Sequence, residues 1–156
     1  MPAPSDAPLL RAGLLEGLDV VLAGTPEAVP QALAALGADV HELAADALDE
    51  EALGAAAQAL PRATVVVADA SAAMRAAGGD EAAGLRDGVA AVWNVARALV
   101  VAHLEPSGFG KVLLIAPRPR DSTTDEALAQ VVAYIASPAG DYFSGTALDL
   151  GAALSP

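Results

Sequence analysis

The sequence predicts an α/β fold in which helices cover both faces of a doubly wound parallel sheet, and three observations lead there. Short runs rich in Val, Leu and Ala alternate with alanine-rich segments of helical spacing along the whole chain, the order of βαβ units. The strand-like runs are apolar throughout rather than at every second residue, as in strands buried on both faces. The length of 156 residues suits one domain, residues 1–156, with a core that removes roughly two-thirds of the unfolded surface from water.

After a Pro/Ala-rich start expected to be frayed (Met1–Pro8), Leu18–Gly24 is a buried strand ending in glycine. Glu27–Leu36 reads as a helix with Gly37 at its C′ position, and Asp39–Leu43 as a second strand. Asp49–Leu60 is an alanine-rich helix whose first turn carries Asp49, Glu50 and Glu51, which suit the positive end of the macrodipole. Pro61 closes that helix, and Ala63–Ala68 is a third strand. The Gly-rich stretch Ala76–Asp80 leads into the longest helix, Glu81–Leu104. Lys111–Ala116 is a fourth strand, followed by the turn Pro117–Asp121. Ser122 or Thr123 then caps a helix running to about Ala136, with Asp125 and Glu126 placed for a capping box. Thr146–Leu150 is the last strand. About five strands with right-handed crossovers and the order 2-1-3-4-5 are expected.

Composition excludes several functions. Zero cysteines remove disulfides, thiolate metal sites and thiol nucleophiles. A net charge of −12 argues against a nucleic-acid partner. The longest apolar run, Val89–Leu104, is broken by Asn94 and Arg97 and falls short of the ~20 residues of a membrane span. No signal-peptide pattern opens the chain, so no membrane partner and a cytoplasmic location are expected. Hydrophobic residues make up 54% and aromatics only 3%. With a mean hydropathy of +0.46, the apolar content suggests surface buried against another chain.

Several segments resemble the short-chain dehydrogenase/reductase (SDR) family. Leu15-Glu16-Gly17 with Asp19–Gly24 resembles its opening strand, and Ala63–Ser71 (ATVVVADAS) stands where the family has a strand ending in Asn-Asn-Ala-Gly. Gly88–Leu104 with Gly110–Ala116 resembles its long helix and the strand that leads to the catalytic serine. Val131–Gly151 (VVAYIASPAGDYFSGTALDLG), the most specific piece, resembles its last helix, Ala-Ser turn and final strand. The resemblance implies a three-layer Rossmann-like fold.

The departures from the family pattern carry the functional expectation. The phosphate loop reads Gly24-Thr25-Pro26-Glu27-Ala28-Val29-Pro30, in which Ala28 and Pro30 replace two glycines and Glu27 adds negative charge. Neither Tyr134 nor Tyr142 is followed by a lysine four residues on. The one lysine, Lys111, lies in a strand, Pro117 stands at the serine position and Gly88 at the asparagine position. The helix that would carry the Tyr–Lys pair is missing between Pro117 and Ser122, and a helix–strand unit near Asp39–Asp49 is missing as well. No catalytic, cofactor-binding or metal-ligating residue is therefore expected in this chain.

The long helix suggests what remains. Val89, Val92, Trp93, Ala96, Leu99 and Val100 form one broad apolar stripe, and Leu85, Ala91, Val95, Ala98, Ala102 and Leu104 extend it around the helix. In the family this helix, and separately the last helix and strand, form subunit interfaces. The expected interface set adds Tyr134, Tyr142, Phe143 and Leu148. A tryptophan is more often core than interface, so Trp93 has both readings.

The resemblance implies a non-catalytic SDR-like subunit. It would assemble with a full-length, active SDR, and that partner would hold the NAD(P). The family includes such pairs of active and degenerate subunits. A third reading is a self-associating dimer or tetramer with no heterologous partner. The alternative is a stand-alone homo-oligomeric binding module for a small anionic ligand, a CoA ester or nucleotide, at the carboxyl edge of the sheet. There Asp69, Ser71, Arg118 and Arg120 would lie, although a loop cap for Asp69 and a solvated turn for the arginines explain them as well. His41 and His103 have no ligand-spaced carboxylate pair and read as structural.

Overall fold

A computed structural model describes residues 10–116 and 122–148. Met1–Pro8, the turn Pro117–Asp121 with Arg118 and Arg120, and the end of the last strand beyond Leu148 lie outside the described residues. Five strands, β1 (Asp19–Ala23), β2 (Asp39–Glu42), β3 (Val65–Asp69), β4 (Lys111–Ile115) and β5 (Thr146–Leu148), pair in parallel in the order β2-β1-β3-β4-β5. The helices are α1 (Ala28–Ala35), α2 (Glu50–Ala59), α3 (Ser71–Ala76), α4 (Glu81–Leu99), the single-turn α5 (Glu105–Ser107) and α6 (Ser122–Ala136). An α/β architecture with a parallel sheet is what the alternation of segments predicts.

Local chemistry sets the element ends. Asp49 is not inside α2 but its N-cap, accepting hydrogen bonds from the N–H groups of Glu51 (3.1 Å) and Ala52 (3.0 Å). Asp80 caps α4 through Ala83 N–H at 3.0 Å. Gly37, at φ +98°, ends α1 in a Schellman motif: its N–H donates to Ala34 O and that of Ala38 to Leu33 O. Thr64 fastens the start of β3 to β1, its hydroxyl donating to Asp19 O and accepting from Asp19 N–H, both at 3.0 Å.

The long helix departs from the expected continuous Glu81–Leu104. α4 ends at Leu99, and Val100–Leu104 is a π-helical turn leading into α5. Pro106 supplies the cause: it has no N–H to give Ala102 O, and in an α-turn its ring would press on that carbonyl. Two short elements escape sequence reading, α3 and a 3₁₀ stretch at Pro138–Phe143.

Strand residues alternate between two cores. Val20, Leu22, Val65, Val67, Leu113 and Ile115 pack on one face with Val29 and Leu33 of α1 and Leu128 and Val132 of α6. Val21, Ala23, Val66 and Ala68 pack on the other with Leu53 and Ala57 of α2 and Val92, Val95 and Leu99 of α4.

This division corrects the expected hand of one crossover. β2→α2→β3 and β3→α4→β4 step across the sheet in one direction with their helices on one face. β1→α1→β2 steps the opposite way on the opposite face, which is the same hand. β4→α6→β5 continues in the direction of β3→β4, yet α6 lies on the α1 face. Its hand is opposite to that of the other three, which have the usual right-handed sense of parallel sheets. The reason is coverage: without α6 the α1 face would be bare over β3 and β4, where Val65, Val67, Leu113 and Ile115 are buried.

Lys111 secures α6 in that place. Its side chain, only 14% exposed, donates to Ala136 O at 3.1 Å and to Ser137 O, and pairs with Asp141 Oδ1 at 2.6 Å. An ammonium at the carbonyl end of a helix satisfies orphan acceptors and the dipole together. Lys111→Met is expected to lower unfolding stability by about 2 kcal/mol, read as a drop in the urea midpoint with unchanged slope.

Candidate docking surface and sheet edge

α4 is built as a helix with two fates. Its inner face, Gly84, Gly88, Ala91, Val92, Val95, Ala96 and Leu99, is buried, and small residues let it lie close to its neighbours. A Cβ on Gly84 would come within 3.0 Å of the Met74 sulfur of α3. At 100° per residue the flank beside this face holds Leu85, Val89 and Trp93, all at least half exposed, with Trp93 at 65%.

The expected stripe therefore splits. Val92, Ala96 and Leu99 are buried. Val100 is half-buried in the π turn, and Val89 and Trp93 face outward. The stripe as read from sequence spanned the boundary between the two faces. Trp93 takes the exposed side because the space over β3 is already filled by Val92, Val95 and Leu99.

Beside this flank the sheet is incompletely covered. With α6 on the other face, no helix follows α4 over β4 and β5 among the described residues. Val112 and Leu114 are consequently only half-buried. Between α4 and these strands runs a trough of about 300 Å³ lined by Val89, Val92, Trp93, Leu114, Ile115, Ala116 and Ala147, without a charged side chain.

A second apolar region lies around the end of α6. Tyr134 is half exposed, Tyr142 is 96% exposed and Phe143 is exposed. Leu148 pairs through its backbone with Ile115. Phe109, which sequence reading did not single out, is also exposed, two residues before β4. With Trp93 these are all five aromatic residues of the chain, and none is in the core. The one available signal for this was the wealth of Leu, Val and Ala, sufficient to fill the core without them.

The carboxyl edge is arranged differently from the expected ligand site. Asp69 ends β3 and Ser71 begins α3, both buried, and Asp69 Oδ1 accepts from Ser71 N–H at 2.9 Å. That is a loop cap. At the start of α1, Val29 N–H donates to Pro26 O (3.0 Å), Gln31 N–H to Glu27 O (3.5 Å), and Pro30 has no N–H. The Glu27 carboxylate accepts from Gln31 Nε2 at 2.8 Å. A pyrophosphate needs free amide donors and no adjacent carboxylate at a helix start, so the residues of this turn do not fit a dinucleotide in the usual mode.

The two histidines lie apart. His103 Nε2 is 2.7 Å from Ala57 O at the end of α2, whereas His41 is in β2. Among the described residues no group of three or more His, Asp or Glu is placed to hold a metal ion. By length and composition alone, Glu81–Ser107 could cross a membrane, but the inner face of α4 is part of the sheet core.

Comparison with protein-family models, curated proteins and solved structures finds no match. Leu99→Ala is expected to cost about 2–5 kcal/mol, whereas Trp93→Ser should change the stability of the isolated chain by less than about 1 kcal/mol. Urea denaturation of the two variants checks the division of the helix into core and surface.

Proposed function

We propose that the chain works by assembly rather than by catalysis, docking through the outer flank of α4 and the adjoining trough onto another protein. The exposed Trp93, set with Val89 beside an uncharged trough over half-covered strands, carries this reading. Aromatic residues in apolar recesses are what the centres of protein interfaces use. A net charge of −12 disfavours an anionic lipid surface as the counterpart.

The resemblance noted in the sequence names the kind of partner: a full-length, active NAD(P)-dependent SDR in the cytoplasm, to which this chain would add a structural or regulatory subunit. Pro30, which has no N–H, and the Glu27 carboxylate at the start of α1 support a chain without its own dinucleotide. So does the sole lysine, which is spent on the end of α6. In this reading the sheet is Rossmann-like, with the order 2-1-3-4-5.

A second reading, self-association, is favoured by one observation. The same patch presents both a protruding side chain and the recess beside it, the self-complementarity that a two-fold interface needs. Co-expression with the SDR encoded nearest to this chain, followed by size exclusion, separates the two. Co-elution that is lost in Trp93→Glu, with the variant still folded, is the expected result. Separate elution, with this chain alone as a dimer, favours self-association, and a stable monomer beside a separate reductase overturns both.

A further inference from the structure

One large side chain ties α3 to the long helix. In the run Ser71-Ala72-Ala73-Met74-Arg75-Ala76, Arg75 is exposed and Met74 is the only other residue larger than serine. Ser71 is anchored at the end of β3 by the Asp69 cap, so the body of α3 relies on Met74 for its hold on α4. The approach is close. A Cβ on Gly84 would lie 3.0 Å from the Met74 sulfur, 3.2 Å from Ala77 Cβ and 3.4 Å from Met74 Cα. The thioether therefore occupies the slot that glycine leaves in α4, while Met74 as a whole is only half-buried.

This contact also holds chemistry found nowhere else in the fold. The chain has no cysteine and two methionines, Met1 and Met74, so Met74 carries the one sulfur among the described residues. An accessible thioether reacts with peroxides. The sulfur lone pair takes one oxygen of hydrogen peroxide, an S–O bond forms, the O–O bond breaks, and the departing hydroxide leaves as water with the remaining proton. Sulfur is oxidised by two electrons and the peroxide is reduced. The sulfoxide is polar and needs a hydrogen-bond donor. The slot offers none, since Gly84 N–H donates to Asp80 O at 2.9 Å and Ala77 N–H to Ala73 O at 3.1 Å.

We propose that Met74 is a peroxide-sensitive latch, whose oxidation to the sulfoxide draws the side chain out of the slot and frees α3 from α4. Ala72, Ala73, Ala76 and Ala77 form one wall of a crevice of about 400 Å³, lined largely by alanines, at the carboxyl ends of β1 and β2. Release of the latch opens that edge of the sheet. Neither Met74 nor the crevice shares a residue with the trough beside Trp93, so the latch and the docking surface stand or fall separately.

Hydrogen peroxide treatment of the purified chain, followed by peptide mass spectrometry and amide hydrogen exchange, tests it. Met74 is expected to gain one oxygen atom, and the amides of α3 to exchange at least about fivefold faster while those of β3 stay unchanged. Reduction by a methionine sulfoxide reductase with dithiothreitol is expected to restore slow exchange. Met74→Leu, a swap of similar volume without sulfur, should exchange slowly in α3 with and without peroxide. Oxidation confined to Met1, unchanged exchange in α3 once Met74 is fully oxidised, or a peroxide-induced rise in Met74→Leu equal to that of the native chain overturns the proposal.

Discussion

A parallel sheet presents two apolar faces, and each has to be covered by helices for the sheet to exist in water. Strands lie about 4.8 Å apart and packed helices about 10 Å apart, so one helix serves roughly two strands. Five strands need more than the two principal helices that each face receives among the described residues. The shortfall falls on β4 and β5 on the α4 side, because the one helix between those strands packs beside α1. The opposite hand of that crossover, the half-burial of Val112 and Leu114 and the trough beside Trp93 are three expressions of this single deficit.

The core that results is aliphatic. Its largest fully buried side chains are leucines, valines and Ile115, and glycine and alanine set the distances between helices, as where α3 meets α4 at Met74 and Gly84. Such a core leaves the aromatic residues no interior position. Their concentration on the flank of α4 and around the end of α6 separates two jobs that aromatic side chains usually share: here they add contact area at the surface and nothing to internal packing. The same use of small side chains opens the crevice at the carboxyl edge, where alanines stand at positions that larger residues would fill.

Much of this was legible in the sequence. The uninterrupted runs of β1, β3 and β4 announce strands buried on both faces, and Gly37 and Asp49 mark helix ends by simple capping chemistry. The end of α4 was not read, although Pro106 two residues beyond the expected boundary was its signal. α3 is six residues of mostly alanine and serine, too short for periodicity to show. The face taken by α6 is decided by which strands would otherwise be bare, a property of the assembled sheet that no local pattern encodes. For the same reason the stripe from Val89 to Val100 was drawn too wide. Its residues are all apolar, and only the crowding over β3 sorts Val92, Ala96 and Leu99 from Val89 and Trp93.

The position of the single tryptophan also determines what light can report about this molecule. In most folded domains indole emission follows unfolding, because the ring passes from a dry interior into water. Trp93 already meets water in the native chain, so its spectrum is a poor gauge of denaturation. It becomes a built-in sensor of contact instead. A shift of its emission to shorter wavelength, without any label, would mark the moment another surface closes over the flank of α4.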